Sequence, residues 1–180
     1  MPSVKRIWWA LGLMFVLSFG ALGLIGGEIY RQAPPMPERV LDAQGATLYT
    51  RDEIQRGRQV WQTTGGQQLG SIWGHGGYVA PDWSADWLHR EAVGLLDLWA
   101  NREFQRGFSG LSLERQAALQ ARLRAEMRTN THDPATGAIT LSVDRAVVVR
   151  EVAAHYAALF GREPALHRLR EQYAIAEDAI

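Results

Sequence analysis

Histidine is the side chain most often used for metal binding and proton transfer near neutral pH, and this chain has it at positions 75, 89, 132, 155 and 167. No HExxH motif is present, and the nearest approach to a metal-ligand spacing is the run His89-Arg90-Glu91. Because successive residues of a helix turn by about 100°, His89 and Glu91 cannot hold one ion without a third ligand. We therefore expect structural or interface roles for the histidines, with His155, in an apolar helical stretch, as a hydrogen-bonded histidine in the core or at its boundary.

Glycine gives the second signal, because residues 65–82, GGQQLGSIWGHGGYVAPD, contain six glycines in eighteen positions. This density is too high for a regular helix or strand and predicts an ordered loop or a wrapping segment. The run Gly74-His75-Gly76-Gly77 is similar to a phosphate-binding loop, but no lysine follows it. The chain also has no GxSxG motif. The sequence thus gives no support for nucleotide binding or for a serine hydrolase.

The composition excludes further classes. The 180 residues include no cysteine, which rules out disulfides, thiolate zinc sites, iron–sulfur clusters and covalently attached haem. Basic and acidic side chains number 19 each, so there is no excess of positive charge for binding nucleic acid.

An uncharged apolar run covers residues 7–27, which is the length that a helix needs to cross a bilayer. Lys5 and Arg6 precede it, so the positive-inside rule predicts a cytoplasmic N-terminus and an exported remainder. A cleaved signal peptide, with Ala21 and Gly23 near the cleavage site, is the alternative, although its apolar region would be unusually long. We expect residues 1–30 to be a membrane anchor.

Proline-rich residues 31–39 predict a stiff linker, and residues 40–180 predict an exported, mainly helical domain with one or two small β-hairpins. A hairpin is expected around Gly45, and a strand with alternating Ile139, Leu141 and Val143 is expected after a turn at residues 133–137.

Helices are expected from the Thr50–Glu53 capping box to about Thr63, then over about 84–101, 112–129, 144–160 and 164–173. Their candidate core residues are Ile54, Val60 and Trp61 in the first helix, Trp87, Leu88, Leu95, Leu96 and Trp99 in the second, and Leu119, Leu123 and Met127 in the third.

One longer pattern changes the functional interpretation. The run Gly57-Arg58-Gln59-Val60-Trp61, followed by GGQQLGSIWGHGGYVAPDWSADWLHRE, resembles the N-terminal region of quinol-dependent nitric oxide reductases. The resemblance begins at GGEIYRQAPP, at the end of the apolar run, and covers nearly the whole chain. It implies a membrane helix and an outer domain of cytochrome c fold that lacks haem c.

In that family a long multi-helix membrane part follows. It carries two b-type haems and a non-haem iron, and it reduces two nitric oxide molecules to nitrous oxide and water with electrons from quinol.

The sister enzymes carry a separate cytochrome c chain with a GRxxW helix, a CxxCH motif and a GxGxY-A-P segment. Here Gly57, Arg58 and Trp61 match the helix, and the later segment is matched by Gly74, Gly76, Tyr78, Ala80 and Pro81. Gly66, Leu69 and Gly70 stand where the two cysteines and the axial histidine would be, so neither thioether attachment nor axial ligation is expected. The resemblance implies a cytochrome-like shell whose haem space is filled by protein, and we expect Trp83 and Trp87 to pack there.

The resemblance also implies a calcium ion that the backbone carbonyls of Gly76 and Tyr78 help to ligate, with the other ligands in the membrane part. The alternative is that residues 76–81 only dock the domain on that part.

All catalytic ligands of the family would lie outside these 180 residues, so we expect a fragment that is inactive alone. The resemblance implies that it is the anchor and outer domain of a denitrification enzyme in the bacterial cytoplasmic membrane, with the domain in the periplasm. A free-standing, membrane-tethered, haem-free interaction protein is the alternative.

Overall fold

The computed structural model describes residues 3–32, 35–63, 65–72, 81–161, 163–173 and 175. Among them the chain is mainly helical, with one apolar N-terminal helix and a small sheet of short strands, which confirms the predicted fold class. The chain divides into two compact units, Met1–Met36 and Pro37–Ile180.

The first unit contains helix α1, Val4–Gln32, which extends the predicted apolar run at both ends. Its 29 residues give a length of about 44 Å, more than the roughly 30 Å of a hydrocarbon core. Within the described residues it is the one helix long and apolar enough to cross a membrane, and a signal sequence meets the same criteria.

The second unit begins with a four-stranded sheet of β1 (Arg39–Leu41), β2 (Thr47–Thr50), β3 (His132–Asp133) and β4 (Ala138–Thr140), in the order β2-β1-β4-β3. The pairs β1–β2 and β3–β4 are antiparallel hairpins, whereas β1 and β4 run parallel. Gly45 and Gly137 have φ of +84° and +66°, values that glycine adopts without strain. The two predicted turns are therefore confirmed, and the parallel pair joins the hairpins into one sheet.

The helices of this unit are α2 (Arg51–Thr63), α3 (Gly66–Leu69), α4 (Trp83–Phe104), α5 (Leu113–Arg128), α6 (Val143–Phe160) and α7 (His167–Gln172), with 3₁₀ turns at Phe108–Gly110 and Pro164–Leu166. Side chains cap three of these helices, α2, α4 and α6. The Glu53 N–H donates to Thr50 Oγ1 (3.3 Å) and the Thr50 N–H donates to Glu53 Oε2 (2.8 Å), as a capping box requires. Asp82 caps α4 by accepting from the Ala85 N–H (2.8 Å).

Three local expectations were wrong. The strand expected to include Leu141 and Val143 ends at Thr140. Ser142 instead caps α6 by accepting from the Arg145 N–H (3.2 Å), and a serine at this position favours the start of a helix over the continuation of the strand. Val60 on α2 is 59% exposed and Leu88 on α4 is 41% exposed. Both point away from the core because only part of each helix surface is covered.

The main core lies where α4 packs against α5 and α6. Its fully buried members include Leu95, Trp99 and Val148, with Leu119 and Leu111 close to full burial. Glycine at position 94 allows the close approach of α4 to α6, because a Cβ there would lie 2.7 Å from a methyl carbon of Val148. This packing fixes the residues that α4 and α6 present to each other.

Candidate functional site

Ser71, in the glycine-rich segment, is hydrogen-bonded to Pro81 and Asp82 and to Trp83 at the start of α4. The Ser71 N–H donates to the Pro81 carbonyl (2.9 Å), the Trp83 N–H donates to the Ser71 carbonyl (2.8 Å), and Ser71 Oγ donates to Asp82 (2.8 Å). These bonds hold residues 71 and 82 side by side. The segment predicted to be an ordered loop also contains the single-turn helix α3, which sequence reasoning missed.

Gly66, Leu69 and Gly70, the positions aligned with the haem-attachment motif, lie on α3 and at its C-terminal cap. A Cβ at Gly66 would overlap the Trp61 ring, and one at Gly70 would overlap the Trp83 indole and the Pro81 carbonyl. Aromatic side chains thus occupy the space that a cysteine and an axial histidine would need. With no cysteine in the chain, these residues do not fit a covalently attached haem.

Trp83 lies at the centre of an aromatic cluster on α4, α6 and the end of α7. Its ring makes edge contacts with Phe160 (5.5 Å between ring centroids), Tyr173 (5.4 Å) and Tyr156 (6.1 Å), and Trp87 stacks on Tyr156 (5.4 Å, 7° between planes). Trp83 is 8% exposed, and its Nε1 has no hydrogen-bond partner among the described residues. Packing of Trp83 beside Gly70 supports the expectation that tryptophans fill the haem space, which otherwise remains a prediction.

A polar network borders this cluster and centres on Asp86 of α4. Its Oδ2 accepts from the Tyr156 hydroxyl (2.6 Å) and from Arg90 Nε (2.8 Å), and its Oδ1 accepts from the Tyr173 hydroxyl (3.1 Å). Arg90 also donates through Nη2 to the Tyr173 oxygen (3.1 Å). The network ties α6 and the end of α7 to one carboxylate on α4.

Electrostatics explains the charge states in this network. Burial alone raises the pKa of Asp86, but the bonds donated by Tyr156 and Arg90 outweigh it, so the pKa lies below its usual value. Burial, and then the bond to Asp86, raise the pKa of Tyr156. Asp86 is therefore an anion and Tyr156 a neutral donor at neutral pH.

An open groove of about 540 Å³ runs between α4 and α6 next to this network. Its apolar lining consists of valine side chains and Gly94, and its polar lining consists of Asp86, His89, Arg90, Glu151, His155 and Tyr173. Of the histidines considered in the sequence, two therefore face this groove. His155 is half-buried, as expected of a boundary histidine, but its Nε2 has no hydrogen-bond partner among the described residues, contrary to the expected pairing.

The pair His89 and Glu91 does not form a site. His89 is exposed, whereas Glu91 is 2% exposed and is held by Arg145 Nε and by Trp87 Nε1 (3.2 Å). Within the described ranges, no group of three or more His, Cys, Asp or Glu side chains could hold a metal ion.

Sequence reasoning missed both the Asp86 network and the Glu91–Arg145 pair. The four-residue spacing of Asp86 and Arg90 on one helix was a usable signal for the first. The second joins residues 54 positions apart, and nothing local indicates it.

Gly76 and Tyr78, the predicted calcium ligands, lie outside the described residues, as do Gly74, His75 and Ala80. Their role stays a prediction.

Comparison with protein families gives one match. Residues 37–180, which include every element of the second unit, match the family of the cytochrome c-like domain of the nitric oxide reductase NorB. A comparison with curated proteins gives no match.

Proposed function

Because the chain belongs to the family of the NorB cytochrome c-like domain of nitric oxide reductases, we propose that it is the membrane-anchored, haem-free outer domain of a quinol-dependent nitric oxide reductase. The observation that carries the proposal is the conflict at α3. The family's domain is cytochrome c-like, yet Trp61 and Trp83 block the haem-attachment positions Gly66 and Gly70.

A domain without haem c does not carry electrons from a soluble cytochrome to the catalytic centre. Electrons then enter from quinol in the membrane part, and the outer domain acts by docking on that part and closing its outer face. The positive-inside rule supports a periplasmic location for the domain, because Lys5 and Arg6 precede α1 and favour a cytoplasmic N-terminus.

The test is nitric oxide consumption by membranes that contain this chain together with the catalytic membrane part. We expect consumption with a reduced quinol and none above background with reduced cytochrome c. Deletion of residues 37–180 should lower the quinol-driven rate while leaving the b-type haem spectrum in place. Equal rates with both donors would contradict quinol dependence, and an unchanged rate after the deletion would contradict the docking role.

A second measurement uses the chain alone, purified in detergent. We expect no Soret absorption band and no haem that resists extraction by acid and organic solvent. A stoichiometric haem on the purified chain would overturn the proposal.

A further inference from the structure

His155 on α6 occupies an unusual position in the α4–α6 contact. Its Nε2 atom is shielded from solvent and has no hydrogen-bond partner within the described part of the chain. Buried polar atoms nearly always have a partner, and an unpaired one carries a free-energy cost. The ring is nevertheless held, with its edge against Tyr156 (5.6 Å between centroids).

The hydrogen-bond acceptors that α4 and the end of α7 place near His155 are already engaged in other bonds. On α4, Asp86 already accepts from three donors and Arg90 brings a positive charge, while His89 lies on the same groove. From the end of α7, the Tyr173 hydroxyl is already bonded to both Asp86 and Arg90. Burial, and then the charge of Arg90, lower the pKa of His155, and the charge of Asp86 only partly opposes them.

On α6 itself the surroundings differ. Glu151 lies one turn before His155 and is exposed at the rim of the groove, and side chains four residues apart on a helix can meet. Elsewhere in the same groove, α4 and α6 approach tightly at Gly94 and Val148. We therefore expect a charged imidazole to turn toward the carboxylate of Glu151, which is exposed and unlike Asp86 is not already bonded to three donors.

We propose that His155 is an acid-sensitive conformational switch in the contact between α4 and α6. In its neutral form the ring stays packed between the helices. When it takes up a proton from solvent, it turns out into the groove to pair with Glu151, and α6 loosens from α4. The only covalent bond formed is the new N–H bond of the imidazole. The proposal does not rest on the proposed reductase function.

The direction of the pH effect follows from linkage. The pKa of His155 in the folded chain lies below its ordinary value of 6.5, so the folded and unfolded chains bind equally few protons at this residue only at a pH well above 6.5. As the pH falls below 6.5, the unfolded chain takes up a proton first and the folded state loses stability. The loss ends once the folded-state pKa has been passed.

Thermal unfolding of the full chain in detergent micelles tests this between about pH 7.5 and about pH 5. The variants are H155Q, which cannot titrate, E151Q, which removes the acceptor, and H89Q, a control on the same groove. We expect the wild-type Tm to fall on acidification by about 2–4 °C more than that of H155Q. H89Q should behave as wild type, and E151Q should fall more steeply.

Equal pH slopes for wild type and H155Q would overturn the proposal, as would an E151Q slope equal to that of wild type. Should H155Q fail to fold, NMR titration of the wild-type imidazole Cε1–H resonances decides instead. A His155 resonance that titrates at or above pH 6.5 contradicts the proposal. One that titrates lower, together with acid-enhanced hydrogen exchange in α6, supports it.

Discussion

The α4–α5–α6 core and the α2–α3 region are built in different ways. In the core, buried aliphatic and aromatic residues recur at helical spacing, and Leu95, Trp99 and Val148 are almost fully enclosed. Helix α2 has no buried residue at all, although it is strongly amphipathic. Its neighbour α3 is a single turn between Gly65 and Gly70.

The two regions therefore differ in how many contacts stabilise them. The core depends on many contacts, each of which contributes a modest part of the stability. The α2–α3 region depends on a few close contacts, namely Trp61 over Gly66 and Trp83 over Gly70. Because this second region depends on so few contacts, single substitutions there should have sharp and separable effects.

The largest effect is expected in the core, from Arg145→Met. Arg145 is the charged partner of Glu91, which is 2% exposed, and removal of one partner leaves the other charge buried and unpaired. We expect a loss of about 3–5 kcal/mol in the free energy of unfolding, measured by urea denaturation. Arg124→Met, at an exposed position of α5, is the control and should change stability little.

A double variant distinguishes the charge from the packing. Glu91→Leu combined with Arg145→Met removes both charges and should recover much of the loss. If the double variant is as unstable as Arg145→Met alone, the buried carboxylate is not the cause.

The next effect is expected from Trp83→Ala, which removes the centre of the aromatic cluster. Truncation of a buried aromatic residue costs about 3 kcal/mol or more in the free energy of unfolding. We expect a value at the lower end, because Nε1 of Trp83 has no hydrogen bond among the described residues that truncation would remove. Trp87→Ala should cost less, because Trp87 is only half-buried. Equal losses for the two, measured by thermal unfolding, would contradict the central place of Trp83.

Local residue chemistry predicted much of the fold. The Thr50–Glu53 capping box, the glycine turns and the helix of Leu119, Leu123 and Met127 depend on side chains a few positions apart, and all appear in the structure. Longer-range features were not accessible. The parallel pairing of β1 with β4, registered at Val40 and Ile139, joins strands about a hundred residues apart, and no turn signal records it.

The candidate site was predicted unevenly for the same reason. The resemblance located Gly66 and Gly70, because a motif gives positions directly. The Tyr156 and Tyr173 hydroxyls on Asp86 come from 70 and 87 residues away, and only the packing of α6 and the following residues brings them there.

Gly70→Ala should have the third-largest effect. The new methyl group would overlap the Trp83 indole and the Pro81 backbone carbonyl, and a backbone atom moves less readily than a side chain. We expect a loss of about 1–3 kcal/mol, measured by thermal unfolding, together with a change in tryptophan fluorescence. Gly66→Ala should cost less, because its clash is with the half-exposed Trp61 ring, which can shift.

The smallest effect is expected from Gly57→Ala, which should raise stability rather than lower it. It tests whether the stability of the α2–α3 region depends on glycine as such or on the contacts at Gly66 and Gly70. Gly57 lies within α2, and a Cβ there would have no atom within 4 Å. Gly57→Ala should therefore stabilise the helix by about 0.5–1 kcal/mol, because alanine loses less backbone entropy than glycine. A rise in Tm for Gly57→Ala alongside a fall for Gly70→Ala would show that contacts with tryptophan, rather than glycine as such, shape this region. If Gly57→Ala lowers the Tm instead, Gly57 is in contact with another surface in solution, and α2 is less exposed there than in the structure.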